Sequence, residues 1–122
     1  MFLGLNFKKL RLSFKFAFSG LKKILKEEQP FRIMVFIAIL VIVAMFYFQI
    51  PLTQKILLFI IIILVLTLEL INSIIEKILD FVSLQNNDRV KRIKDVLAAM
   101  VLIASLGAAI IGILIFLPYF LK

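Results

Sequence analysis

The stretch Glu69-Leu70-Ile71-Asn72-Ser73-Ile74-Ile75-Glu76-Lys77-Ile78-Leu79-Asp80 lies inside an otherwise unbroken apolar run. Glu69, Asn72, Ser73, Glu76 and Asp80 recur at spacings of three, four and seven. At 100° per residue they fall within about 60° of Glu69 on one helical face. Carboxylates are expensive in hydrocarbon, so several of them sharing a face of a membrane helix point to a site. An alternative for Glu76 and Asp80 is a helix end leaving the bilayer. Glu69 is harder to explain that way, because an unpaired carboxylate at its depth would protonate at a cost in stability.

The apolar run belongs to a chain of 122 residues that is 64% hydrophobic with a mean hydropathy of +1.17, the composition of an integral membrane protein. Cysteine and histidine are both absent. Their absence excludes disulfides, thiol nucleophiles, histidine bases and phosphohistidine relays, and leaves proton transfer to carboxylates, Lys, Tyr or water. The net charge of +8 comes from basic residues crowded around the hydrophobic segments. That placement favours anionic headgroups or a phosphorylated ligand over nucleic acid.

Working outward, residues 55–82 form the second of three expected membrane-spanning helices. At 1.5 Å per residue the segment is roughly 40 Å long against about 30 Å of hydrocarbon, so one end projects. Glu69 then falls inside the membrane edge and Glu76 at the surface. The first span is expected over 31–50, a polar loop over 83–92, and the third span over 93–118. Pro51 to Gln54 make a turn short enough to set neighbouring spans antiparallel.

Residues 5–28 read as an interfacial helix. Phe7, Leu10, Phe14, Phe18, Leu21 and Leu25 make one stripe, with Lys8, Lys15, Lys22 and Lys26 beside it. A basic tail without structure is the alternative. Interleaved charge and the lack of a small-residue cleavage site argue against a signal peptide. Basic residues concentrate before the first span and around the second loop, which puts the amino terminus and the loop on the cytoplasmic side of the plasma membrane. Ala104, Ala108 and Gly112 recur every fourth position in the third span and allow close helix approach. They suit an oligomer with sites between subunits, or packing within one three-helix bundle.

Phosphoryl transfer needs a group to orient or deprotonate an acceptor hydroxyl, oxygen ligands for magnesium and a cation for the phosphates. All are available here. Glu28 and Glu76 can supply the one or two carboxylates that Mg2+ takes beside phosphate oxygens. A lipid alcohol would bring its hydroxyl to the depth of Glu69. Other readings exist for these residues. Lys94 and Asp95 also suit a membrane-edge anchor and helix start, and Glu27 and Glu28 could offset Lys22, Lys23 and Lys26. An embedded glutamate also fits a small proton-coupled transporter, and a structural or pore-forming subunit would leave the polar residues incidental.

The Glu69-to-Asp80 stretch, followed after a polar loop by Lys94-Asp95-Val96-Leu97-Ala98-Ala99, resembles the signature of the bacterial diacylglycerol kinase and undecaprenol kinase family. Ser13-Phe14-Lys15-Phe16-Ala17-Phe18-Ser19-Gly20 and Lys26-Glu27-Glu28-Gln29-Pro30-Phe31-Arg32 fit that family's surface helix and its exit into the first span. The resemblance covers nearly the whole chain. It implies a single all-α membrane kinase domain over 1–122, a surface helix with three spans, and a homotrimer with composite sites. By resemblance, Glu69 is the catalytic base, and Glu28 and Glu76 are the magnesium ligands. Asn72, Lys94 and Asp95, with Glu28, Glu76 and Phe16, would hold ATP. Phe16 and Asn87 stand where many members have Tyr and His. The amino-terminal pattern is nearer the undecaprenol branch, with diacylglycerol the alternative acceptor.

Overall fold

The computed structural model describes residues 4–82 and 88–122, and within them the chain is all helical. Helices α1 (Phe7–Glu27), α2 (Gln29–Tyr47), α3 (Leu52–Val82) and α4 (Asp88–Phe120) follow in order. The last three are long and apolar enough to cross a membrane. The protein is thus an all-α membrane protein with an amphipathic amino-terminal helix and three spans.

Asn6 caps α1 by accepting a 3.2 Å hydrogen bond from the Lys9 amide, and no residue of α1 is buried. Phe7, Leu10, Phe14, Phe18 and Leu21 of the α1 stripe are exposed and thus free for an apolar surface other than their own chain. A single residue, Glu28, separates α1 from α2. Its amide donates back to the Ile24 carbonyl at 2.8 Å, and its carbonyl accepts from the Arg32 amide at 3.2 Å. Because Pro30 in the first turn is preorganised for helix, α2 starts at Gln29, two residues before the expected 31.

The end of α2 also departs from expectation, falling at Tyr47 instead of residue 50. The Ile50 amide donates to Met45 O at 3.1 Å and the Gln49 amide to Phe46 O at 3.3 Å, with Gln49 at φ 53°. This is a Schellman closure, and the contact that accompanies it joins Ile50 to Met45 in the core. Gln49 fills the left-handed position that glycine usually takes, so no glycine marks the stop. Pro51 follows and its carbonyl accepts from Lys55 at 3.0 Å, so Thr53 and Gln54 are helical and α3 starts three residues early.

The fourth helix begins at Asp88, so residues 88–92, expected as loop, form its first turn. Asp88 there complements the helix dipole. The rest of that loop, 83–87, including Gln85 to Asn87, lies outside the described residues. At its other end α4 continues past Pro118 to Phe120.

Helix α3 is central. It packs against α2 on one side and α4 on the other, while α1 packs against α2. At the end away from Glu76, Met45, Ile50, Leu58 and Ile115 form the core, with Phe48, Phe116 and Tyr119 packed around it. The Phe48 ring stands edge-on to Phe116 at 6.3 Å and to Phe120 at 5.0 Å. Between this cluster and the polar end, α2, α3 and α4 border an apolar cleft of about 620 Å³.

Candidate functional site

Four residues of α3 are buried, and three of them are polar: Glu69, Asn72 and Ser73 accompany Leu58. For a membrane helix this inverts the usual economy, in which polar groups avoid the interior unless they are paired or functional. Glu69 is 5% exposed, Ser73 3% and Asn72 9%. Ser73, one turn on, is buried on the same face and acts on the Glu69 carboxylate as a hydrogen-bonding neighbour. Asn72 Oδ1 is buried with no hydrogen-bond partner among the described residues, an acceptor left open beside the carboxylate.

The α1–α2 elbow brings a second carboxylate to this face. Glu28, with a quarter of its side chain exposed, and half-buried Glu76 both act electrostatically on Glu69. The elbow is held there from α3. Lys77 Nζ donates to Glu27 Oε2 at 2.8 Å and lies 3.6 Å from Glu28 Oε1. That hydrogen bond, and then the charge of Lys77, keep the Glu27 carboxyl below its ordinary range, with a smaller contribution from Lys23.

The third expected group, from α4, divides in two. Lys94 reaches back to α3 and donates to Asp80, which ties the two helices at their polar ends. Asp95, one residue on, accepts instead from Lys91 at 3.0 Å along its own helix. With Arg89, Lys91 and Arg92 it borders an open depression of about 590 Å³ lined by α4 residues. Phe16 is 69% exposed on α1, about 18 Å along the helix axis from Glu28 at 1.5 Å per residue. A single chain thus gathers Glu28, Glu69, Asn72 and Glu76, holds Lys94 at the edge of that group through Asp80, and leaves Phe16 and Asp95 apart from it.

Two participants escape sequence reasoning. Ser73 is legible as a member of the polar face but not as the partner of Glu69. Lys77 carries no signal at all, because its hydrogen-bond partner lies 50 positions away and local spacing would pair it with Asp80, three residues on.

Among the described residues no three His, Cys, Asp or Glu side chains cluster as a metal site. The donors near Glu69 are oxygens: two carboxylates and an open amide carbonyl. Such a set suits a hard cation like Mg2+, which takes one or two carboxylates and completes its shell with phosphate oxygens and water.

Comparison with known proteins agrees with this chemistry. A family described as prokaryotic diacylglycerol kinase matches residues 15–116. Over 106 residues the chain is 29% identical to the undecaprenol kinase of Bacillus subtilis, covering 87% of this chain and 86% of that one. Over 110 residues it is 31% identical to a diacylglycerol kinase of Synechocystis sp., covering 89% of this chain and 63% of that one.

Proposed function

The chain belongs to the prokaryotic diacylglycerol kinase family and is a membrane lipid kinase, and we propose that it transfers the γ-phosphoryl group of ATP to undecaprenol with Glu69 as base. The observation that carries this reading is the burial of Glu69 on a membrane-spanning helix, next to Ser73 and within electrostatic reach of Glu28 and Glu76.

A lipid alcohol anchored by its hydrocarbon brings its hydroxyl to the depth of Glu69 while the nucleotide stays in water. The Glu69 carboxylate accepts the hydroxyl proton as that oxygen attacks the γ-phosphorus. The new O–P bond forms, the bond to the ADP oxygen breaks, and the products are a phosphorylated lipid and ADP. Ser73 holds Glu69 in orientation. Asn72 and Lys94 engage the nucleotide, Lys94 by exchanging Asp80 for phosphate oxygens. Glu28 and Glu76 would hold magnesium together with the phosphates, and the ion would supply neutralisation of charge on the transferring group.

Undecaprenol is preferred over diacylglycerol on two grounds: the amino-terminal pattern, and the correspondence with 86% of the Bacillus subtilis undecaprenol kinase. Exposed Phe16 and outward-lying Asp95 fit sites completed by neighbouring copies, and we take the assembly to be a homotrimer. The basic residues before the first span and around the second loop support a site on the cytoplasmic side.

Transfer of labelled γ-phosphate to undecaprenol and to diacylglycerol, in parallel and with magnesium, tests the reading on the protein reconstituted in lipid. Label on undecaprenol, lost in Glu69→Gln, is the expected result. Label mainly on diacylglycerol would keep the mechanism and reverse the acceptor. A fully active Glu69→Gln enzyme would remove Glu69 as the base.

A further inference from the structure

The α1–α2 elbow is locked locally, and among the described residues one α3 side chain, Lys77, hydrogen-bonds across to its α1 side. Arg32 Nη1 donates to Leu25 O at 3.0 Å and Lys26 O at 2.8 Å, which satisfies carbonyls left open at the end of α1. With the backbone bonds at Glu28 this sets the angle between α1 and α2. Neither interaction sets how far the elbow stands from α3. Phe31, buried three residues past Glu28 on α2, anchors the α2 side of the elbow, whereas on the α1 side no residue is fully buried and packing is limited to half-buried Ile24 and Leu25. What crosses the gap on that side is Lys77, hydrogen-bonded to Glu27 and 3.6 Å from Glu28.

We propose that Lys77 is a positioning residue for metal binding, holding the elbow through Glu27 so that Glu28 stays against the polar end of α3 beside Glu76. This rests on the reading of Glu28 and Glu76 as magnesium ligands given above. The geometry divides the work between two neighbouring carboxylates. Glu27 takes the short hydrogen bond, while the 3.6 Å contact to Glu28 exceeds hydrogen-bond length and leaves that carboxylate available to a cation. Glu28 also starts α2 without using its side chain as a cap, so its oxygens have no local employment. Lys77 follows Glu76 directly in sequence, so the tie is made at the level of the second ligand.

A lysine near a metal site could instead repel the ion. Here Glu27 neutralises it, so the pair carries no net charge and the repulsion is small at a half-exposed position screened by salt. Loss of positioning therefore outweighs relief of repulsion. An exposed ion pair of this kind is weak, which limits the effect to about fivefold.

The test uses the full chain in lipid vesicles with a non-hydrolysable ATP analogue and Mn2+ as the probe, titrated by electron paramagnetic resonance. Lys77→Met and Glu27→Gln should each weaken Mn2+ binding about fivefold, and the double variant no further, while Lys77→Arg stays within about twofold of the parent. In the kinase assay the half-saturating magnesium concentration should rise in Lys77→Met with kcat at saturating magnesium unchanged. Unchanged Mn2+ affinity in Lys77→Met overturns the proposal, and so does tighter binding, which would make Lys77 a competitor of the metal. Glu28→Gln and Glu76→Gln serve as controls. If both bind Mn2+ like the parent, the metal-ligand reading itself fails and takes this proposal with it.

Discussion

The two ends of the helical bundle are held together by different forces. At one end Met45, Ile50, Leu58 and Ile115 interlock, with Met45 fully buried and the rings of Phe48, Phe116 and Tyr119 closing over them. At the other, the backbones are joined by ion pairs with exposed members, Lys77 with Glu27 and Lys94 with Asp80, around a buried carboxylate. In lipid there is little hydrophobic drive between helices, so the first end depends on close packing. The second spends polar groups where packing would have been more stabilising. A chain that gives up packing at one end and not the other has a use for the polar end, and in the function proposed above that use is the chemistry of Glu69.

The comparison predicts separable effects. Glu69→Gln should reduce phosphate transfer by about 10²- to 10⁴-fold, the range for loss of a general base, while leaving helical content and thermal stability near those of the parent. A variant that lost stability and activity together would show the polar end to be structural as well. Met45→Ala should do the reverse. With no transfer free energy to lose into lipid, the cost is the cavity alone, about 1–3 kcal/mol in reversible unfolding, with the KM for ATP unchanged.

The spans were legible in sequence, whereas the core of Met45, Ile50, Leu58 and Ile115 at the packed end was not and the polar end was only partly so. Three apolar segments of spanning length announced the helices, but the stop at Tyr47 was hidden because Gln49, not glycine, adopts φ 53°. The start of α4 was hidden because Asp88 to Arg92 are as polar as a loop, and only their place in the first turn makes that polarity suit a helix. Glu69, Asn72 and Ser73 could be read from helical period because all three lie on one helix. The tie between Glu27 and Lys77 could not, since it depends on two elements meeting at an elbow. The resemblance supplied roles for Glu28, Lys94 and Asp95 that period alone left open.

A smaller effect is expected where Lys94 is shared. Asp80→Asn frees the ammonium from its partner on α3. Because the Asp80 side chain is 66% exposed, stability should change by less than about 1 kcal/mol. The released lysine is then available to phosphate, and the KM for ATP should fall about twofold. Loss of turnover instead would put Asp80 among the groups that act on substrate.

The smallest effect bears on the cleft between the two ends. Ser105 borders it, and its hydroxyl oxygen is buried with no hydrogen-bond partner among the described residues. An unsatisfied hydroxyl costs free energy where it is buried, so in an isolated chain Ser105→Ala should be neutral or stabilising by up to about 1 kcal/mol. The sign would reverse if a second copy supplied the missing partner in the assembly. Thermal unfolding in dilute detergent, where subunits separate, and in crowded vesicles, where they associate, distinguishes the cases. Stabilisation under both conditions would mean that the cleft keeps its orphan hydroxyl within one chain. Destabilisation confined to the associated state would mean that a neighbouring subunit bonds Ser105. The region between packed core and polar site would then be an interface, and the polar end would be completed by other copies of the chain.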